Sequence, residues 1–127
     1  MLPDWEIYTR WRAAFGTVLD ERYHTLDWLD LQILSGEFRF WASENAALVT
    51  EIKTYPAGAK DVHVMVAAGD MGEIVEVLAP LAEAWGASQG CVAALVESRP
   101  AWARVLAPYG WEPHQLTLRK ELRYGLV

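Results

Sequence analysis

A chain of 127 residues, 53% apolar and 22% charged, has the size and apolar content of one folded domain with its own core, which excludes global disorder. Its formal net charge of −6 argues against direct binding to nucleic acid or to an anionic membrane surface, since neutralising phosphates takes lysine and arginine. The opening MLPDWEIYTRW lacks the basic and apolar regions of a signal peptide, and no apolar run reaches the roughly 20 residues of a membrane helix, so a cytoplasmic chain is expected.

Residues 3–19 space Trp5, Tyr8, Trp11, Ala14, Phe15 and Val18 by threes and fours, which predicts a helix with Pro3 and Asp4 in its first turn. Thr25 is placed to cap a second helix, Asp27 to favour its first turn, and Gly36 to close it. Leu26, Leu29, Ile33 and Leu34 form that helix's apolar face. Three strands are predicted next, over Glu37–Ala42, Ala46–Lys53 and Val62–Ala68. Ser43–Asn45 makes the first turn between them, and Pro56, Gly58 and Lys60–Asp61 make the second. The third strand is apolar on both faces, which suits the centre of a sheet.

Met71–Trp85 carries the longest helical pattern, with Ile74, Val75, Leu78, Leu81, Ala82 and Trp85 on one face and Gly86 at its end. Pro80 lies inside it and predicts a kink or break near Val77–Ala79. Cys91–Val96 reads as another doubly apolar strand, so the helix before it is a βαβ crossover with parallel pairing. A short helix follows from Pro100 to a stop at Gly110, and Gln115–Leu122 alternates with Leu116, Leu118 and Leu122 on one face, as a strand does. The expected architecture is a single α/β (α+β) domain over residues 1–127. Its mixed sheet is an antiparallel meander followed by a βαβ unit, with flanking helices.

Seven tryptophans serve core and edge packing, and Trp5 and Trp11, outside the strongest core segments, are expected to face a partner. Cys91 has no second cysteine to pair with and reads as a buried, inert thiol. His24, His63 and His114 are too scattered for a metal pattern, and neither a Walker loop nor a nucleophile elbow is present. Arg99, before Pro100, can grip an anionic ligand or simply precede a helix start.

The succession GCVAALV, RPAWARVLAPYGW with its Gly110–Trp111 pair, and the Leu-x-Lys-x-Leu tail Leu118–Leu122 resembles the end of the GNAT (N-acetyltransferase) fold. The likeness extends back to the first helices. With the A-x-V-T-E-I strand Ala47–Ile52 and the shortened tail, the chain looks most like small GNAT-like proteins encoded by phages and prophages. The resemblance implies acetyl-CoA as cofactor if the chain is an enzyme. It also implies a [RQ]-x-x-G-x-[GA] loop after Val62–Ala68, whose backbone N–H groups cradle the cofactor pyrophosphate. That loop falls on Val66–Met71, where Gly69 matches and Val66 replaces the basic residue; a shift by one brings in Gly72. Gly69, Asp70, Met71 and Gly72 are therefore the implied cofactor-binding positions.

The family's general-acid tyrosine maps onto Leu106, with Tyr109 close by in sequence. Glu51 and His63 are the residues available as general base, although Glu51 on a half-exposed strand reads first as a solvated side chain and His63 as a satisfied core or edge histidine. The family's closing hairpin is cut to one strand, whose edge Arg119, Lys120 and Arg123 blunt or an oligomer completes. Two functions follow from the resemblance. One is a catalytically degenerate, cofactor-free component of a viral particle, in the virion or the host cytoplasm, that binds other phage structural proteins or itself. The other is an acetyl-CoA-dependent N-acetyltransferase with an atypical phosphate-binding loop. No metal site is expected in either.

Overall fold

The computed structural model describes residues 5–122, in two compact units divided between Glu97 and Ser98. The first unit contains α1 (Trp5–Val18), α2 (Leu26–Ser35), β1 (Phe38–Ala42), β2 (Ala46–Thr54), β3 (Lys60–Gly69), α3 (Met71–Glu73), a π-helical stretch Ile74–Leu78, α4 (Ala79–Ser88) and β4 (Ala93–Val96). The four strands form one sheet in the order β1-β2-β3-β4. β1, β2 and β3 are antiparallel, and β4 runs parallel to β3. The predicted meander and βαβ crossover are both present. Among the described residues no helix is long and apolar enough to cross a membrane.

One face of the sheet is covered by α1 and α2. Tyr8, Phe15 and Leu29 bury against Ala47, Val49 and Val66, and Phe40 meets the Tyr8 and Phe15 rings edge-on at 5.5 and 6.2 Å. The Tyr8 hydroxyl donates to Asp30 at 2.7 Å, and Arg12 donates to Asp30 at 2.9 Å and to Asp27 at 3.0 Å. These bonds clamp α1 to α2; burial, then the Asp30 carboxylate, pushes the Tyr8 phenol far up. Trp5 and Trp11 pack half-buried against this core. Thr25 caps α2 by accepting from the Trp28 N–H, and Gly36 closes it in the left-handed region at φ +84°. Leu34 falls off the buried face and is exposed.

On the opposite face, Trp41 donates its indole N–H to the buried Thr50 hydroxyl at 2.9 Å and stacks edge-on against Trp85 of α4 at 5.8 Å. The predicted break at Pro80 takes the form of the π-helical stretch, in which the Ala79 N–H donates to the Ile74 carbonyl. Widening the helix by one residue just before Pro80 accommodates the missing donor. Gly86 does not end the helix, which continues to Ser88. It is small because a Cβ there would lie 2.7 Å from Val62 Cγ1. Leu81, expected on the buried face, is exposed. Lys60 and Asp61 belong to β3 rather than to the turn, paired with Thr54 and Lys53. β4 is shorter than expected because the Cys91 N–H is taken by the Gly86 carbonyl. Cys91 is half-buried rather than buried, with burial pushing its thiol up.

The second unit holds α5 (Ala101–Leu106) and a 3-10 turn, Ala107–Tyr109, closed by Gly110 at φ +89°. The strand expected over Gln115–Leu122 does not form: residues 111–122 carry no regular structure. Alternation marks a strand only where the backbone finds a ladder and the apolar face a cover. Neither is present here among the described residues, and Leu116 and Leu118 are 82% and 84% exposed.

Candidate functional site

β3 and β4 are paired only from Asp61↔Ala93 to Val64↔Val96. Beyond that point β4 ends while β3 continues to Gly69. Opposite β2 the register steps from Val49↔Val66 to Thr50↔Val64, leaving Met65 as the extra residue of a bulge. Where the strands part, a cleft of about 260 Å³ opens, walled by His63, Met65 and Glu97 and by Asp20 and His24 from the α1–α2 connection.

His63 is the centre of this cleft's polar wall. The strand pleat buries it to 6% exposure, and neither ring nitrogen has a hydrogen-bond partner among the described residues. Nδ1 lies 3.9 Å from Glu51 Oε1 and Nε2 lies 3.4 Å from Glu97 Oε1, while Lys53 Nζ is 3.8 Å from the same Glu97 oxygen. Burial first, then the Lys53 charge, lowers the His63 pKa below its ordinary 6.5, against the pull of Glu51 and Glu97. The imidazole is therefore neutral near pH 7. It can take a proton from a donor in the cleft, and the two carboxylates stand ready for the imidazolium that results.

Of the residues singled out from sequence, Glu51 and His63 come together as cross-strand partners. His63 is not a satisfied core histidine, and Glu51 is half-buried rather than solvated. Glu97 and Lys53 were not singled out. Glu97 reaches the ring only because parallel pairing sets Leu95 opposite His63, a long-range register that no local spacing encodes. Tyr109 lies exposed on the 3-10 turn of the second unit, and Leu106 is buried.

The implied phosphate loop is not a loop. Ala46–Val49 pair with Val66–Gly69, so Val66–Gly69 belong to β3 and only Asp70 separates the strand from α3. Gly69 takes φ +102°, and a Cβ there would come 2.7 Å from Ala46 Cα. The Asp70 N–H donates to the Asn45 carbonyl at 2.8 Å, and the Asp70 carboxylate caps α3 by accepting from the Glu73 N–H at 2.9 Å. The Glu73 carboxylate accepts from the Ser43 hydroxyl at 2.6 Å and the Asn45 N–H at 2.9 Å, and these donors hold it below the usual carboxylate range. No lysine or arginine occurs between Lys60 and Arg99. Two carboxylates at the helix start, in a stretch of chain without lysine or arginine, do not fit a coenzyme A pyrophosphate. Among the described residues no group of three or more His, Cys, Asp or Glu side chains is placed to hold a metal.

No protein-family model matches the chain, nor does any curated protein. Solved structures do. A GCN5-related N-acetyltransferase from Ralstonia eutropha JMP134 superposes with a TM-score of 0.69 at 19% identity, over 94% of each chain. Glucosamine-6-phosphate N-acetyltransferase from Arabidopsis thaliana gives 0.66 at 11% identity, over 97% of this chain and 95% of its own. A predicted acetyltransferase from Clostridium acetobutylicum, solved with acetyl-CoA, gives 0.66 at 8% identity, over 95% and 92%. With the mixed four-stranded sheet and its flanking helices, these likenesses establish that the chain has the GNAT fold.

Proposed function

We propose that this chain is a GNAT-fold protein-binding module that works without coenzyme A, of the kind phages and prophages encode, and that it serves as a structural component of a viral particle. The observation that carries the cofactor-free reading is the join between β3 and α3. A pyrophosphate needs orphan amides and positive charge around it. Here the strand runs into the helix through Asp70 alone, and the first turn is held by the chain's own Asp70 and Glu73 carboxylates. Calorimetric titration with acetyl-CoA and with coenzyme A is expected to give no heat at millimolar ligand. Saturable binding tighter than ~100 μM, about −5.5 kcal/mol, would overturn the reading. For the particle role, mass spectrometry of purified particles is expected to find the chain at fixed stoichiometry, and its absence there would sink that half of the proposal.

A second reading, N-acetyl transfer from acetyl-CoA, is supported by His63. A neutral, unpartnered imidazole at the parting of two strands is equipped to take the proton of an acceptor amine, with Glu51 and Glu97 holding the imidazolium. An amine screen with acetyl-CoA decides it. Turnover that falls by about 100-fold or more in His63→Gln supports it, and a wild-type chain without turnover on any amine rejects it.

A further inference from the structure

The two carboxylates beside the buried His63 ring are not equivalent. Glu51 stands directly opposite His63 in the β2–β3 pairing, 3.9 Å from Nδ1, with its side chain 21% exposed. Glu97 follows the last residue of β4 and lies 3.4 Å from Nε2, with its side chain 80% exposed. Both distances exceed a charge-assisted hydrogen bond by roughly 1 Å or less. Lys53 lies 3.8 Å from the same Glu97 oxygen, so lysine and histidine compete for it. The other charged or titratable groups around the ring are Asp20 and His24 across the cleft and Asp61, two positions before His63 on β3. Asp20 is paired with Arg22 at 2.8 Å, His24 packs on the Trp28 ring at 4.7 Å, and Asp61 is set opposite Lys53 in the sheet. Glu51 and Glu97 are therefore the acceptors a protonated ring meets, and all these residues belong to the first unit.

We propose that His63 is a proton-operated latch on this cleft: protonation draws Glu97 off Lys53 onto Nε2, brings Glu51 onto Nδ1, and narrows the cleft at the end of β4. A neutral imidazole has one N–H for two acceptors, whereas an imidazolium has two. The second donor exists only once the proton arrives, so the arrangement that uses both carboxylates is favoured only then. Glu97 is the part that moves, because it is the exposed one and sits beyond the strand end, while Glu51 is fixed by its strand. Burial opposes the charged ring and sets the closure on the acid side of the ordinary histidine range. The cleft is then open near pH 7 and closed in acid. The latch rests on neither function proposed above, since a chain without turnover on any amine and a His63 uncoupled from Glu97 are separate failures.

Two measurements on the full chain test it. Ring NMR of the wild-type chain, Glu97→Gln and Lys53→Gln reads the His63 titration. Glu97→Gln is expected to lower its midpoint and Lys53→Gln to raise it, each by about half a pH unit or more. Closure is read by oxidation with dilute hydrogen peroxide and mass spectrometry, since Met65 lines the cleft and Met71, outside that lining, is an exposed internal reference. Oxidation of Met65 relative to Met71 is expected to slow about threefold or more as the wild-type His63 protonates, and to hold level in Glu97→Gln. Acid unfolding has the opposite sign, because it speeds Met65. A His63 midpoint that neither substitution moves overturns the latch. So does a wild-type Met65 rate that holds level or rises in acid, or one that slows equally in Glu97→Gln.

Discussion

At the residue scale, His63 ties the core to the pH of the solution. Its pKa is lowered in the folded chain by burial and by Lys53, so below about pH 6.5 the unfolded state binds more protons than the folded one. The stability His63 contributes is therefore complete above its unfolded pKa and is lost as pH falls toward its folded value. Asp20, His24 and Glu97 line the same cleft, Glu51 lies beside the His63 ring and Lys53 beside Glu97, so the effect has to be isolated by substitution. The urea midpoint of the wild-type chain is expected to drop between pH 7 and pH 5.5 by more than that of His63→Gln. Equal slopes would show that the histidine does not titrate on unfolding. Sequence alone marked His63 and Glu51, because polar residues on an otherwise apolar strand stand out. It did not mark Glu97, whose approach depends on how two distant strands align.

Glycines separate what is local from what is not at the scale of elements. Gly36 and Gly110 were readable as helix stops because both take the left-handed backbone that terminates a helix. Gly86 carried the same local signal and has a different role, since the helix passes through it where α4 meets Val62. Close approach between a helix and a strand is a tertiary fact, invisible in a window of sequence. Gly86→Ala is expected to destabilise the chain by about 1–3 kcal/mol through overpacking. Val62→Ala should recover part of that loss in the double variant, because the nearest clashing atom, Cγ1, is gone while Cβ at 2.9 Å remains. Additive losses in denaturant unfolding would mean that the two residues do not share the constraint. Pro80 was legible in the opposite way: a missing donor is written in the sequence, and only the form of the accommodation, a π-helical stretch, needed the structure.

For the whole molecule, the fold was legible and the cofactor site was not. Periodicity and turn residues specify the helices, the meander and the crossover one segment at a time. The expected phosphate loop, by contrast, was placed by alignment on residues that β2 recruits into a strand pair, and pairing across the sheet overrides a local motif. Fold alone does not carry activity, so the cofactor-free function proposed above rests on the join between β3 and α3 and not on the GNAT fold. The tail differs from the sheet in backbone: residues 111–122 carry no regular structure. Cleavage needs an extended, accessible backbone, which Arg119 and Lys120 offer, whereas Lys53 and Lys60 are held in the sheet. Trypsin is therefore expected to cut a dilute sample after Arg119 and Lys120 well before it cuts at Lys53 or Lys60. Cutting at Lys53 or Lys60 that precedes cutting after Arg119 and Lys120 would show that the sheet opens before the irregular tail is reached.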